Sequence, residues 1–327
     1  KILFEGNKAF SRVELKREMK TKQKGIFSFI SKSGRIDAEK LQLDLLHLED
    51  FYRNHGYRMV RIDSARREAA NNDRVDLVIP IHEGPKYTVR SAAFGKMSVF
   101  KPEELIPALS MVGGQVFSNK KVRDDVRMIR SYYGSRGYAD AVVMPEMRDV
   151  SPGVVAITYQ ITEGPLYRVG KVNIQGNTIT KDKVIRREIP MRPGEYYNSV
   201  DEETTKLRLQ NLRYFRQVQV SDSPSTQSGY RDVNIFVDET KTGQVSFGAG
   251  FSSIDSVVGY LHLEQTNFDI GNPKNWFRGG GQRFNMRLQL GAERRDLKIS
   301  LIEPWFLGRR LSLGGEVFYR DLFFLSE

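Results

Sequence analysis

Few residues in this chain are placed to make or break bonds. The four histidines, His47, His55, His82 and His262, are dispersed. His47 and His55 fall on one predicted helix but have no acidic pair beside them, so they read as surface residues and not as a general base or metal ligands. There is no cysteine, which excludes a disulfide framework and a cysteine metal site. Gly279-Gly280-Gly281 has the composition of a phosphate loop, yet no Lys-Ser/Thr follows it and a turn is expected. The carboxylates show no paired arrangement for acid–base work. Catalysis, metal and cofactor are therefore not expected, and function has to come from binding surfaces.

The chain has 327 residues, which favours two to four domains. Hydrophobic residues make up 39% and charged residues 28%, a balance of folded domains and not of disorder. No run of about 18 apolar residues occurs, so a transmembrane helix is excluded. A membrane β-barrel is not excluded, because its strands alternate. The net charge of +11 could attract nucleic acid or anionic lipid. The charges are scattered without a dense basic run, so a solvated surface is the alternative. Lys1-Ile2-Leu3-Phe4 reads as a strand and not as a signal peptide; an exported protein would be present here as a fragment or mature form.

A repeat of roughly 80 to 90 residues runs through most of the chain. Each copy opens with an apolar strand ending at glycine: Ile2–Asn7, Ala92–Lys96 and Val172–Asn177. A short helix is expected next, begun by Ser11, by Pro102 near its first turn, and by Thr180. A longer amphipathic helix follows. Its apolar positions are Leu41, Leu45, Leu48 and Tyr52; then Val122, Val126, Ile129 and Tyr133; then Leu207, Leu209 and Leu212. Gly56 and Gly137 stop the first two long helices, and the third lacks such a glycine. Hairpins are expected from Tyr57–Asp63 with Val75–Ile81, from Ala141–Met147 with Val154–Ile161, and from Val218–Val220 with Val233–Val237. Glu83-Gly84-Pro85, Glu163-Gly164-Pro165 and Glu239-Thr240 lead out of them. The expected modules span 1–86, 87–166 and 167–240, each with two helices on one face of a small mixed sheet.

From Gly243 the helical pattern gives way to alternation. Val245, Phe247, Ala249 and Phe251 share one face, and Gln244, Ser246, Gly248 and Gly250 the other. Phe284, Met286, Leu288, Leu290 and Ala292 alternate with Arg283, Asn285, Arg287, Gln289 and Gly291. Weaker alternation covers Val257–Glu264, Leu297–Leu301 and Leu311–Arg320. About five strands of bilayer-crossing length are expected over 241–327. Trp276, Phe277, Trp305 and Phe306 fall near their ends, where aromatic girdles belong. A water-soluble β-sandwich with one apolar face is the alternative. Five strands are too few to close a membrane barrel, which needs about eight, so a truncated chain is expected.

These residues carry a family resemblance over almost the full length. The repeat resembles the POTRA (polypeptide-transport-associated) domain, and the chain is similar to the outer-membrane protein assembly factor family (the BamA family). The resemblance rests on the glycine-ended strands, on Phe51–Tyr57 followed by Ile62-Asp63-Ser64, and on Val184–Ile189 with Pro193–Asn198. It extends to Gly243–Phe251 and to Ile302–Phe306 followed by Leu313-Gly314-Gly315. An insertion at Thr21–Gly34 makes the first repeat look like the third of five POTRA domains, so that the three would be the third, fourth and fifth. The fold implied is α+β: three tandem POTRA domains (β-α-α-β-β) and then antiparallel strands of an incomplete outer-membrane β-barrel, sixteen-stranded in the family.

The resemblance implies a seat in the bacterial outer membrane with the POTRA domains in the periplasm. It also implies a part in inserting β-barrel proteins. The implied partners are unfolded outer-membrane proteins, accessory lipoproteins, periplasmic chaperones and outer-membrane lipid, with no nucleic acid. Clients would add a strand to a sheet edge by main-chain bonds. The candidate edge is Tyr57, Arg58, Met59, Val60, Arg61 and Ile62; an ordinary edge guarded by Arg58 and Arg61 is the alternative. The first barrel strand, Gln244–Phe251 (Gln244, Val245, Ser246, Phe247, Gly248, Ala249, Gly250, Phe251), would be one side of a lateral gate. Accessory lipoproteins would dock at Arg186, Arg187, Glu188 and Glu195, although Pro193 stands where family members carry an acidic residue. A translocation-and-assembly or two-partner secretion pore is the alternative within the family. A basic nucleic-acid-binding repeat is the alternative outside it, but the sequence has neither a Gly-x-x-Gly loop between helices nor the aromatic signature of an RRM.

Overall fold

The computed structural model describes residues 1–21, 37–70, 74–252, 256–291 and 294–322. The insertion expected at Thr21–Gly34 lies outside them from residue 22 onward. The chain divides into two compact units, Lys1–Tyr133 with Asp140–Gly164, and Gly134–Ala139 with Pro165–Glu327. Among the described residues no helix is long and apolar enough to cross a membrane.

The first unit holds two modules. In the first, β1 (Ile2–Glu5) is followed by α1 (Arg12–Glu18), α2 (Ala38–Asn54), β2 (Arg61–Ile62), β3 (Arg66–Ala70) and β4 (Arg74–His82). Ser11 and Glu14 form a capping box at α1, each accepting the other's backbone N–H, and Asp37 caps α2. Leu45, Leu48 and Tyr52 bury one stripe of α2 against Ile2, Phe4, Leu77 and Ile79. β1 runs parallel to β4, while β2 and β3 pair antiparallel to it. The second module has the same order, but with one continuous strand where the first has β2 and β3: β5 (Thr88–Phe94), α3 (Pro102–Leu105), α4 (Asn119–Gly134), β6 (Val142–Ser151) and β7 (Val154–Thr162). Its sheet is ordered β5-β7-β6, with the first and last strands parallel.

The second unit holds the third module and a separate sheet. β8 (Arg168–Gln175), α5 (Asp182–Arg186), α6 (Ser199–Asn211), β9 (Phe215–Pro224) and β10 (Tyr230–Glu239) repeat the order, with the sheet arranged β8-β10-β9. Where the first two long helices end at glycine, with Gly56 at φ 103° and Gly137 at φ 97°, the third ends at Arg213, itself left-handed at φ 59°. A non-glycine residue in that region costs on the order of 1–2 kcal/mol. The C-terminal sheet is an antiparallel meander of β11 (Gly243–Ser252), β12 (Ser256–Phe268), β13 (Gln282–Gly291), β14 (Arg294–Glu303) and β15 (Leu313–Leu322). It is open and not curled into a sandwich, which matches five alternating strands and corrects the sandwich alternative.

One carboxylate per module closes the fold. The acid that ends each hairpin folds back onto the loop after the module's first strand. Glu83 Oε1 accepts the N–H groups of Lys8 and Ala9 at 2.8 and 2.9 Å and the Tyr52 hydroxyl at 2.9 Å. Glu163 Oε1 accepts from the Ser98 and Val99 N–H groups, both at 3.0 Å, and from the Tyr133 hydroxyl at 2.9 Å, while Ser98 Oγ donates to Oε2. Glu239 accepts from the N–H groups of Thr178, Ile179 and Thr180 at 2.7–2.9 Å. A second acid, Asp44 in α2 and Asp125 in α4, takes two backbone N–H groups beyond the first helix.

The hairpin expected at Tyr57–Asp63 is corrected. Tyr57–Val60 is a turn, because Gly56 reverses the chain and Arg58 N and Val60 N bond back to the Gly56 and Tyr57 carbonyls at 3.0 and 3.1 Å. Of the candidate edge, only Arg61 and Ile62 lie in a strand, and the longer pairing on β4 falls to Arg66–Ala70. Arg58 does not guard an edge; it pairs with Asp149 of the second module at 2.8 Å.

Glu163 gives a test of the carboxylate closure. Burial alone would raise its carboxyl, but the Ser98, Val99 and Tyr133 donors outweigh burial and hold it below the usual range. Its stabilisation is therefore complete above the ordinary glutamate value of about 4 and is lost as pH falls through the lowered folded value. Glu163→Ala is expected to cost about 1–3 kcal/mol in urea unfolding at neutral pH, from donors left unpaired. The gap between variant and parent should narrow below about pH 4.

Candidate functional site

The surfaces that could act on another chain lie in the second unit: β11, the first strand of its sheet, and the joint that sets where that strand starts. The five-stranded sheet keeps two unlike faces in register. One cross-strand row runs Phe247–Leu261–Leu288–Leu297–Tyr319, and the next Val245–Leu263–Met286–Ile299–Val317. On the reverse face run Gln244–Glu264–Asn285–Ser300–Glu316 and Ser246–His262–Arg287–Lys298–Phe318. Phe247 is 81% exposed, Phe251 91% and Val317 74%. A sheet with a continuous exposed apolar face and a charged reverse face suits lipid on one side and water on the other.

β11 pairs only with β12 among the described residues. Its outer N–H and C=O row is a template for another strand. Gly243, Gly248 and Gly250 weaken it, since glycine loses more freedom on ordering and has no side chain to pack. The Tyr260 ring lies over Gly248, where an added Cβ would meet its edge at 2.8–2.9 Å.

The joint is built from the loop after β8 and the turns at the same end of the sheet. Glu239 fixes residues 178–180, as described above. Burial raises its carboxyl and the Thr180, Ile179 and Thr178 donors lower it further, so it stays ionised. From that loop Thr180 Oγ1 accepts from Asn267 Nδ2 at 2.9 Å, Lys181 N donates to the Gly279 carbonyl at 2.9 Å, and Lys181 Nζ reaches Asp269 at 2.6 Å. Asn267, 2% exposed, also accepts the Gly281 N–H at 2.9 Å. A Cβ on Gly279 would lie 2.1 Å from the Ile179 carbonyl oxygen, so only glycine fits this approach. The triple glycine is thus a turn, as its sequence context indicated. Next to it Trp305 Nε1 donates to Glu188 Oε1 at 3.2 Å, and the Arg187 guanidinium lies 5.5 Å from the Trp305 ring centroid. Burial pulls Arg187 below its ordinary value, while Glu303, Tyr214 and Glu188 push the other way.

This geometry divides the four residues expected to dock lipoproteins. Arg187 and Glu188 are drawn into the joint and are not free for a partner. Arg186 is half-exposed and paired with Asp182 at 2.9 Å, and Glu195 is exposed. Glu195 sits on a loop held to β8, with Val169 N donating to its carbonyl and Gly194 N to that of Val169, both at 2.8 Å. Trp305 leaves the expected girdle for the joint, whereas Trp276 is 83% exposed. Asn267, Lys181 and Glu239 were missed from sequence. Their partners lie far along the chain, and the only local signal was the acid that begins each exit from a hairpin.

The chain matches the POTRA family model, described as surface antigen variable number repeat, at residues 1–84, 87–164 and 167–240. It matches the Omp85 superfamily domain at 275–326. A putative outer membrane protein assembly factor of Treponema pallidum is 26% identical over 99% of this chain and 39% of its own length. The outer membrane protein assembly factor BamA of Neorickettsia risticii is 27% identical over 98% of this chain and 42% of its own. The chain thus spans about two fifths of the length of these relatives. Among solved structures, POTRA3-5 of Haemophilus influenzae BamA aligns over 73% of this chain and 94% of its own, with TM-score 0.60 and 26% identity. BamA from Haemophilus ducreyi lacking POTRA domains 1-3 aligns over 72% of this chain and 43% of its own, with TM-score 0.62 and 23% identity, a likeness of fold.

Asn267 gives the test of the joint. Asn267→Ala leaves the Gly281 N–H and the Thr180 hydroxyl without their partner, a local cost of about 1–3 kcal/mol. Hydrogen exchange is expected to speed up at Lys181, Gly279 and Gly281 in the variant, while β13 and β14 keep the parent's rates.

The matched residues, the module order and the two-faced sheet agree: the chain belongs to the POTRA family, its three POTRA domains on the periplasmic side being followed by outer-membrane β-barrel strands that match the Omp85 superfamily domain.

Proposed function

We propose that the protein assembles and inserts β-barrel proteins into the bacterial outer membrane, without enzymatic chemistry. The observation that carries the reading is β11: the alternating first strand of the two-faced sheet, weakened by three glycines and started from a fixed joint. In hydrocarbon each unpaired backbone polar group costs several kcal/mol. A client strand arriving from water gains that much by pairing with an edge already in place. β11 is therefore the templating side of a lateral gate, and the fixed joint at Thr180–Asn267 sets where it starts.

In the periplasm the same bonds give a weaker grip. Each main-chain hydrogen bond nets about 1 kcal/mol, against about 1–2 kcal/mol to order each client residue. Unfolded outer-membrane proteins would add reversibly to POTRA edges, in the first module along Arg61–Ile62 and Arg66–Ala70. Chaperones would deliver these clients. Accessory lipoproteins would use the exposed side of the third module around Arg186 and Glu195. The three modules would correspond to the third, fourth and fifth POTRA domains of longer family members.

A photo-crosslinker at Ser246 tests the templating role in the full-length protein. During assembly it is expected to capture nascent barrel clients, and one at Gln289 in the interior strand β13 should not. Absence of client adducts from Ser246, or equal yields from the two positions, would contradict it.

A further inference from the structure

The rim of the sheet that faces the third module joins two features that the insertion reading does not use. The first is aromatic. Phe277 stacks on Phe268, ring centroids 5.7 Å apart, and Phe268 stacks on Phe284 at 4.8 Å. Phe284 belongs to the apolar face, so the stack carries that face down into the turn between β12 and β13. Trp276, beside it, projects with 83% of its surface exposed. Both Trp276 and Phe277 hold φ 54°, a region that glycine or asparagine enters far more readily. Two large aromatic side chains are thus presented at strained positions, and among the described residues Trp276 is left 83% exposed.

The second feature is charge. Lys274 in the same turn, and Arg309 and Arg310 in the turn between β14 and β15, are exposed and form no ion pair among the described residues. The acids of these turns are engaged. Asp269 is paired with Lys181, and Glu303 accepts from Trp305 N and Gln282 Nε2. The rim therefore carries uncompensated positive charge directly below an apolar band.

Aromatic tips at the edge of hydrocarbon with free cations beyond them match a bilayer interface that carries negative charge. We propose that this rim binds anionic phospholipid headgroups of the leaflet on the POTRA side, with Trp276 and Phe277 at the acyl boundary and Lys274, Arg309 and Arg310 on the phosphates. The proposal rests on the reading of the sheet as bilayer-spanning. It adds a selectivity that an aromatic girdle alone does not have.

Fluorescence quenching in the full chain tests it. With Trp305→Phe, and any tryptophan outside these 327 residues likewise replaced by Phe, Trp276 is the sole reporter. The protein is reconstituted in phosphatidylcholine vesicles containing brominated phosphatidylglycerol or, at the same mole fraction, brominated phosphatidylcholine. Trp276 is expected to be quenched at least about threefold more by the anionic lipid, since one cation near an anionic surface is worth roughly a fivefold enrichment. Lys274→Glu, Arg309→Glu and Arg310→Glu together should abolish the difference and leave quenching by phosphatidylcholine in place. Equal quenching by the two lipids in the parent, or a preference that survives charge reversal, overturns the proposal. A second reporter, Leu288→Trp with Trp276→Phe and Trp305→Phe, reads the apolar face itself. If it is quenched while Trp276 is not, only the rim proposal falls; if neither is quenched, the bilayer reading falls with it.

Discussion

One side chain–backbone interaction organises this protein three times over. Pairs of helices on sheets of three or four strands bury too little to hold their loops unaided. In each module an acid at the end of the hairpin collects the N–H groups of the loop that leaves the first strand, so the last element fixes the first turn. Glu83, Glu163 and Glu239 share that task. In the third module the consequence reaches further. The loop fixed by Glu239 is the one that meets the C-terminal sheet through Thr180 and Lys181, and Glu239 itself stands a few residues before β11. One carboxylate thus ties the third POTRA domain, the linker and the start of the first barrel strand into a single arrangement.

The C-terminal sheet obeys a different constraint. Its strands gain little from burial against each other's side chains and are specified by period-two alternation, which fixes register because a slip of one residue would turn every apolar side chain to the wrong face. The rows headed by Val245 and by Gln244 keep their character across all five strands. β11 is the exception in strength and not in pattern. Its glycines leave it able to give up or accept a partner at low cost, as the proposed templating role asks.

Local periodicity carried most of the fold. The amphipathic stripe of α2, the glycine stops and the alternation from Gly243 each appear within a window of a few turns or one strand, and all survive in the structure. What stayed hidden depends on distance along the chain. Tyr57–Val60 has the composition of a strand, but Gly56 and the carbonyls behind it bend it into a turn. Arg187 and Glu188 look like surface charges on a short helix until Trp305, far along the chain, packs over them. Arg213 shows the limit of residue preference: the helix stop that glycine makes in two modules is made in the third by a residue that pays for it in backbone strain.

The central claim is that β11 crosses a bilayer with one face in lipid and the other in water. The chain has no cysteine, so single cysteines can be placed in turn from Gln244 to Phe251 in the membrane-reconstituted protein. Positions 245, 247, 249 and 251 are expected to react with a lipid-soluble maleimide, and positions 244, 246, 248 and 250 with a membrane-impermeant one. Uniform labelling by the impermeant reagent, or reactivity without a period of two, would contradict the claim.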